Sequence, residues 1–389
     1  MMPIYLDFNS TAPLRAEARE TWLETAAQLA GNPSSLHAGG RRARHVIDVA
    51  RERVAAALRV HEDEILFTSG GTESNNLALF GTLTTADPTV GLVTTAIEHS
   101  SVLEAARELE RRGHRLQLIA VQASGAVDPE AVVAAARQND VALISVQAAN
   151  SEVGTLAPLR AIADGLANLD RPPPVLHTDA VQALGRIPTE LDRWGASLAS
   201  FSAHKVGGPV GVGVLVRRSR APRANLHPLQ FGGGQEYGLR PGTEDVAGVA
   251  AAAVAVELAV AEQSAYYERT RTLTQHLWRE LEHRLPAARL LGEPLDSDRR
   301  LPNTLNISLP GSDGKVLVTR LDLEGLQVSA GSACASGSLE PSHVLLAMGC
   351  STEEARAGLR LSVGSGTTKE ECTRAVDILE KVVSASRAS

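Results

Sequence analysis

The chain has 389 residues, of which 43% are apolar, and a formal net charge of -7 at pH 7. A chain of this length and apolar content can bury a large core, and we expect two domains. Its lysines and arginines are scattered rather than clustered, which argues against a direct nucleic-acid partner because no basic stripe is available to neutralise phosphates.

The sequence also argues against secretion and membrane insertion. The opening segment, MMPIYLDFNSTAPLR, lacks the basic region and apolar stretch of a signal peptide. The most hydrophobic run, Val246 to Val256, is far shorter than the ~20 residues that span a bilayer. We therefore expect a cytoplasmic protein with no membrane partner.

The cysteines are few and widely spaced. Cys334, Cys350 and Cys372 fit neither a disulfide framework nor a CxxC-type metal site. We expect three free thiols in a reducing compartment and no metal.

From about residue 60 to 217, short apolar runs alternate with amphipathic segments. The predicted strands are EILFTSG, VGLVTTA, RLQLIAV, VALISVQ, PPVLHTDA, ASLASFS and VGVLVRR. Helical patterns lie between several of them, including SSVLEAARELERRG, which ends at Gly113, and DPEAVVAAARQ, which begins at Asp128. This alternation favours a mostly parallel sheet covered by helices on both faces.

A long helical region, Thr243 to about Leu285, separates this block from a C-terminal part. That part contains the predicted strands TLNISLP and LRLSVG and a final helix near Lys369 to Ser384. We expect a large α/β domain of residues 14–255 and a smaller domain formed by residues 1–13 and 256–389.

Ligands of open parallel sheets bind at the carboxyl ends of strands, so the residues that follow the predicted strands are candidates for a binding site. After EILFT comes SGGTESNN, a glycine-containing turn that opens a helix, where backbone N–H groups and the helix dipole attract a phosphate. The pattern GxxxxGK[ST] is absent, which disfavours a nucleoside triphosphate. An ordinary strand-to-helix connection is the alternative interpretation.

Polar side chains follow later strands as well. His99 follows VGLVTTA, Asn150 follows VALISVQ, and Asp179 and Gln182 follow the apolar part of PPVLHTDA. A satisfied core or surface histidine is the alternative interpretation of His99, and a helix N-cap is that of Asp179.

The segment SFSAHKVGGPVGVG places Ser202, His204 and Lys205 after an apolar strand. Burial disfavours the ammonium form of a lysine and makes its amine a nucleophile toward carbonyls. A Schiff-base lysine, a strand-end aspartate, a phosphate-binding turn and a histidine that could stack on a ring are together what pyridoxal phosphate requires. The carboxylate, here Asp179, holds the proton on the pyridine nitrogen that makes the ring an electron sink. Lys205 is therefore the predicted lysine of the covalent cofactor link.

These residues belong to a longer series of motifs through which the chain resembles the cysteine desulfurases, in the class V aminotransferase group of fold-type I pyridoxal phosphate enzymes. The motifs cover nearly the whole chain in the expected order: YLDFNSTAP, GNPSSLHAGGRRA, FTSGGTESNNLAL, EHSSVLEA, HTDAVQALG, SFSAHKVGGPVGVGVL, GGGQEYGLRPGTEDV, PNTLNISLPG, SAGSACASGSLEPSHVLLAMG and LRLSVG. The cysteine segment followed by EPSHVL resembles the iron-sulfur-cluster and nitrogenase-associated branch. The resemblance implies an aspartate-aminotransferase-like α/β fold, with a mostly parallel seven-stranded sheet in the large domain and a smaller α+β domain that carries the cysteine loop.

The resemblance also implies roles for single residues toward pyridoxal 5'-phosphate. Lys205 forms the internal aldimine, Asp179 pairs with the pyridine nitrogen, and Gln182 approaches the ring oxygen. His99 stacks on the ring and takes part in proton transfer. The residues implied to hold the phosphate are Gly71, Thr72, Ser202, His204 and, from a second subunit of a homodimer, Thr243.

On the substrate side, the resemblance assigns Arg360 to the carboxylate, with Asn150 assisting there and at the cofactor. A planar guanidinium suits a carboxylate because it can form two parallel hydrogen bonds. Cys334 is implied to attack the substrate sulfur and to leave as a persulfide. One departure from the family pattern is Ser151, which replaces the usual second asparagine before Glu152.

The implied activity converts L-cysteine to L-alanine and delivers sulfur through Cys334 to an acceptor such as an iron-sulfur scaffold protein, or to another thio-cofactor pathway. Selenocysteine lyase or another class V aminotransferase-type enzyme is the alternative within the same chemistry. Cys334 disfavours plain transamination, which needs no thiol. A sulfur-transfer scaffold without turnover is the third hypothesis, and Lys205, Asp179 and His99 argue against it.

Overall fold

The computed structural model describes residues 3–84, 90–138, 140–219, 225–331 and 340–387. The strands in these ranges are β1 (Ile4–Tyr5), β2 (Ile65–Thr68), β3 (Gly91–Thr95), β4 (Arg115–Ile119), β5 (Val141–Ser145), β6 (Val175–Asp179), β7 (Leu198–Ser202), β8 (Gly213–Arg217), β9 (Arg289–Leu291), β10 (Thr304–Ser308), β11 (Leu326–Gln327) and β12 (Gly358–Ser362). The helices are α1 (Ala16–Gln28), α2 (Ala38–Leu58), α3 (Gly71–Leu83), α4 (Ser100–Arg111), α5 (Pro129–Gln138), α6 (Leu159–Ala167), α7 (Leu191–Trp194), α8 (Val246–Ala261), α9 (Gln263–Arg284), α10 (Gly314–Leu323), α11 (His343–Ala347), α12 (Thr352–Arg356) and α13 (Lys369–Arg387).

A seven-stranded sheet in the order β2-β8-β7-β6-β5-β3-β4 forms the centre of the larger part of the molecule. The pairs from β7 through β6, β5 and β3 to β4 are parallel, and β8 is antiparallel to both β7 and β2. Each of the seven runs predicted as strands contains one strand of this sheet. The predicted mixed α/β fold with a mostly parallel seven-stranded sheet is confirmed.

Helices cover both faces of this sheet because successive side chains of a strand point to opposite sides. On β2, Ile65 and Phe67 join the cluster packed against α2 and α8, while Leu66 joins the cluster packed against α3 and α4. Strands such as β3 and β7 are buried on both faces and have no exposed position, which is why they contain apolar and small hydroxyl residues but no charged ones.

A second core lies under two smaller sheets, β12-β10-β9 and β1-β11. Apolar residues of β1, β10 and β12 pack there against α9, α10 and α13. The sequence did not indicate β1, β9 or β11, since strands of two or three residues are too short to show a period. The boundaries at residues 13 and 255 stay a prediction.

The predicted helical region from Thr243 to Leu285 is two helices, α8 and α9, which meet at a bend of 69°. α8 is buried along most of its length and contacts α1 and α2. No single helix among the described residues is long and apolar enough to cross a membrane, although the bent α8–α9 pair meets the length and composition criteria together.

Candidate functional site

A cavity of about 320 Å³ lies at the carboxyl ends of the central strands, between the seven-stranded sheet and β12. Its walls come from the segments after β2, β3, β5, β6 and β7, from the N-terminal segment and from Arg360 of β12. The predicted site residues that line it are Gly71, Thr72, His99, Asp179, Gln182, Ser202, His204, Lys205 and Arg360. The fold therefore gathers segments that are up to 351 residues apart (9 to 360) into one cavity.

Lys205 ends a short 3₁₀ turn that follows β7. Its Nζ donates hydrogen bonds to the backbone carbonyls of Asn9 at 2.9 Å and Ser10 at 2.5 Å. Both acceptors belong to the N-terminal segment that lines the same cavity. Two backbone carbonyls thus hold the amine at the cavity wall.

Asp179 is the last residue of β6, and only 7% of its surface is exposed. Its Oδ1 accepts from the backbone N–H of Val181 at 3.0 Å, and its Oδ2 accepts from Asn75 Nδ2 at 2.7 Å. Both of these donors are neutral groups. A buried carboxylate that accepts hydrogen bonds from neutral donors suits a cationic ligand group.

The N-terminus of α3 forms another part of the wall, with Gly71 and Thr72 as its first residues. Position 213 in β8 requires glycine, because a Cβ there would lie 2.5 Å from a backbone carbon of Gly70, the residue that precedes α3. A helix N-terminus presents free N–H groups to an anion. The close approach of β8 to the residue before α3 thus accompanies a helix N-terminus that lies at the cavity.

His204 lies beside Lys205, with its Nδ1 3.1 Å from Thr11 Oγ1. Burial, reinforced by the charges of Lys205 and Arg186, lowers the pKa of His204 to about 4. The imidazole is therefore neutral at neutral pH.

Arg360 is almost fully buried, and its Nη2 pairs with Asp7 Oδ1 at 2.7 Å. Its Nη1 donates to the carbonyl of Ser151 at 3.1 Å, while its Nε has no hydrogen-bond partner among the described residues. Ser151 departs from the family pattern in its side chain, but it contacts Arg360 through its backbone carbonyl. Any residue at this position would supply that carbonyl, so the departure leaves the contact intact.

Gln182 is held from two sides. Its Nε2 donates to the carbonyl of Asn9 at 3.0 Å, and its Oε1 accepts from Nη1 of the buried Arg186. These contacts fix which end of the amide is the donor.

Three predicted residues are not among the residues that line the cavity. Asn150 is buried and closes a turn, since its Oδ1 accepts from the N–H groups of Glu152 and Val153 and its Nδ2 donates to Ile97. Thr243 is exposed on the surface of the single chain. Cys334 lies outside the described residues. Their predicted roles stay predictions.

The other two cysteines have thiols that stay protonated at neutral pH. Burial raises the pKa of Cys372 to about 12, and burial also raises the pKa of the partly exposed Cys350. Neither was assigned a role.

Several wall residues were missed by sequence reasoning, namely Asn9, Ser10, Asn75, Ser101 and Gln147. Asn75 and Ser101 lie inside the motifs FTSGGTESNNLAL and EHSSVLEA, so those motifs were the only signal that could have found them.

The family model described as aminotransferase class-V matches residues 4–374. Among curated proteins, the chain is 42% identical over 382 residues to "Cysteine desulfurase IscS" of Dictyoglomus turgidum (strain DSM 6724 / Z-1310), covering 98% of this chain and 94% of that protein.

Two solved structures are also similar. A "NifS-like protein" has a TM-score of 0.90 and 34% identity, covering 99% of this chain and all of that one. "SspA in complex with cysteine" has a TM-score of 0.77 and 32% identity, covering 94% of this chain and 99% of that one.

Proposed function

We propose that this chain, which belongs to the aminotransferase class-V family, is a cysteine desulfurase. It converts L-cysteine to L-alanine and transfers the sulfur to Cys334 as a persulfide. The observation that carries the proposal is that a lysine amine, a buried carboxylate and a buried guanidinium, those of Lys205, Asp179 and Arg360, line one cavity. Relatives named cysteine desulfurase that align with nearly the whole chain support it.

Pyridoxal 5'-phosphate is the proposed cofactor, and the residues present fit it. Asp179 offers a buried carboxylate for a protonated ring nitrogen, and Lys205 offers the amine for a covalent link. The N-terminus of α3 with Gly71 and Thr72 offers N–H groups for the phosphate. When bound, this cofactor supplies an electron sink for bonds to the substrate Cα.

Two further residues would complete the phosphate site from one chain. Ser202 offers a hydroxyl, and His204 offers a ring that its lowered pKa keeps neutral. Gln182 would donate to the ring oxygen through Nε2, because Arg186 already occupies its Oε1.

Arg360 would hold the substrate carboxylate. Its Nε has no partner in the described chain, and an unpaired buried donor is costly unless a ligand satisfies it. Asp7 keeps the guanidinium plane in place while the site is empty of substrate.

The sulfur step balances without an added oxidant. An S–S bond forms between the Cys334 thiolate and the substrate sulfur as the C–S bond breaks, and the carbon that loses sulfur gains a proton and becomes the methyl group of L-alanine. The thiol and L-cysteine together contain all atoms of the persulfide and L-alanine. A reductant or acceptor protein, such as an iron-sulfur scaffold, then removes the sulfur.

The active unit is proposed to be a homodimer in which Thr243 of one chain reaches the phosphate of its neighbour. Support comes from its exposed position at the end of a glycine-rich segment, and closed twofold dimers are the commonest oligomers. The cytoplasmic location expected from the sequence stays a prediction.

The test is to incubate the purified protein with L-cysteine and a dithiol reductant and to measure sulfide and alanine together. Equal amounts of both products are expected, with a Lys205→Ala variant as the inactive control. Pyruvate and ammonia in place of alanine would contradict the proposal, since they mark elimination rather than sulfur transfer. Selenocysteine, offered in parallel, distinguishes a selenocysteine lyase by a strong preference for that substrate.

A further inference from the structure

Two buried side chains without an assigned role, those of Asn75 in α3 and Ser101 in α4, connect Asp179 to His99 along the cavity wall. Asn75 Nδ2 lies 2.7 Å from Asp179 Oδ2 and 2.9 Å from Ser101 Oγ. Ser101 Oγ lies 2.7 Å from His99 Nδ1, and the backbone N of Ser101 lies 3.1 Å from the same ring nitrogen.

Each hydrogen bond in the series from Asp179 to His99 has only one consistent direction. The carboxylate of Asp179 accepts, so the Asn75 group that faces it must be the NH₂ rather than the carbonyl oxygen. The second hydrogen of that NH₂ is donated to Ser101 Oγ, which leaves the hydroxyl hydrogen for His99 Nδ1. The direction is thus set at Asp179 and carried to His99.

The backbone of Ser101 leads to the same result from the other side. A backbone N–H can only donate, so His99 Nδ1 must be an acceptor to receive it. This contact also makes His99 the N-cap of α4, which fixes the ring on the end of a helix. A neutral imidazole whose Nδ1 accepts two hydrogen bonds carries its proton on Nε2.

We propose that Asn75 and Ser101 are positioning residues that hold His99 in the tautomer with the proton on Nε2, so that Nε2 is the atom that exchanges a proton with the substrate. The inference rests on the proposed function, since that function supplies the substrate whose proton moves. It differs from a purely structural role because it fixes a protonation pattern as well as a ring position.

The tautomer is measured in the resting holoenzyme labelled with ¹⁵N-histidine, by NMR at a pH where His99 is neutral. The His99→Gln variant assigns the signals, because they disappear from its spectrum. In the wild-type protein, Nε2 should be the protonated nitrogen. In Ser101→Ala, the ratio of the Nε2–H to the Nδ1–H tautomer should fall about tenfold, as expected for one lost hydrogen bond.

Conservative and matched variants separate positioning from general damage. Ser101→Thr retains a hydroxyl and should restore the wild-type ratio. Ser100→Ala changes the neighbouring serine, whose side chain does not line the cavity, and should leave both the ratio and turnover unchanged. Asn75→Ala should shift the tautomer in the same direction as Ser101→Ala, which keeps the test decisive if one variant fails to fold.

Turnover gives a second readout. For Ser101→Ala, kcat for L-cysteine should fall about tenfold, within the usual contribution of a proton-transfer group, with KM and bound cofactor unchanged. A wild-type tautomer ratio in both Ser101→Ala and Asn75→Ala, or a proton on Nδ1 in the wild-type protein, overturns the inference. Wild-type protein with the expected tautomer but without sulfide and alanine overturns the proposed function instead.

Discussion

Among the described residues, the guanidinium of Arg360 pairs with the carboxylate of Asp7. In the proposed function it would also bind the carboxylate of L-cysteine. The pair with Asp7 uses Nη2, and the carbonyl of Ser151 uses Nη1. The buried Nε remains without a partner in the described chain. Such an arrangement orients the guanidinium before the substrate arrives, which lowers the ordering cost of binding.

Replacing Arg360 by lysine should lower kcat/KM for L-cysteine about 10- to 100-fold, mostly through KM. An ammonium retains the charge but cannot reproduce the geometry of the planar fork, and a charged hydrogen bond of this kind contributes about that much. Steady-state kinetics measure the effect, with Arg356→Lys at an exposed position as the control. An unchanged kcat/KM would remove Arg360 from the substrate site.

Lys205 and Cys334 should fail in different ways when they are replaced. Cys334→Ser should still change the visible absorbance of the bound cofactor when L-cysteine is added, yet give almost no sulfide and no persulfide. Lys205→Ala should block turnover and prevent borohydride from attaching the cofactor to the chain, because the covalent link requires the amine. Stopped-flow spectra and persulfide labelling distinguish the two variants.

Cys350→Ser is the matched control for the thiol, since burial raises the pKa of Cys350 and keeps it protonated. It should retain activity. Release of sulfide by Cys334→Ser at the wild-type rate would make the reaction a thiol-independent lyase.

Among the elements, the turn between β3 and α4 is tied to the segment that follows β5. The buried carboxyl of Glu98 accepts from Thr95 Oγ1 at 2.6 Å and from the backbone N–H of Gln147 at 3.0 Å. Gln147 in turn donates to the carbonyl of Ile97 at 2.7 Å. Because His99 follows directly, this cluster positions the start of α4 at the cavity.

Burial raises the pKa of Glu98 to about 8. The protonated form therefore contributes stability to the folded state. This contribution is complete below the ordinary pKa of a glutamate, about 4.3, and is lost as the pH rises through about 8. The melting temperature of the wild-type protein, relative to that of Glu98→Gln, should therefore fall between pH 5 and pH 9. Thermal unfolding across this range measures the difference. Glu104→Gln on the exposed side of α4 is the control, and a difference for Glu98→Gln that does not vary with pH would contradict the expectation.

At the scale of the whole molecule, the proposed dimer directs attention to the segment before Thr243, which has an unusual backbone conformation. Glu236 and Tyr237 have positive φ angles of 46° and 59°, and the carboxylate of Glu236 accepts from buried Arg51 and from the backbone of Phe67. Phe231 in the same segment is 89% exposed. Strained backbone at non-glycine residues often marks a functional segment, and the proposed homodimer would bury Phe231.

The protein should therefore sediment at twice the chain mass of 41.0 kDa at assay concentrations. Phe231→Asp should weaken the dimer and lower activity together, since a charge in an apolar contact opposes association. Leu323→Asp, at a position 83% exposed on α10, should change neither. A fully active species with the sedimentation of a monomer would overturn the homodimer.

Much of the fold was predictable because its strands are buried on both faces. Runs such as ILFT in β2 and LASFS in β7 are buried over their whole length and contain no charged residue, and the helices between them have a helical period of their own. The short strands β1 and β11, which pair Ile4 with Leu326, have no such signal because their pairing depends on a contact across the whole chain. The break between α8 and α9 at Glu262 also lacks a local signal, because no glycine or proline marks the change of direction there.

The sequence alone determined the family, the order of the strands along the chain and the placement of Lys205, Asp179 and His99 after strands, because motifs and hydrophobic periods are local properties. Only the tertiary structure decided that Arg360 pairs with Asp7, 353 residues away, and that Asn75 links Asp179 to Ser101. Hydrogen bonds depend on distance and direction to within a few tenths of an ångström, and those arise only when distant segments have packed together.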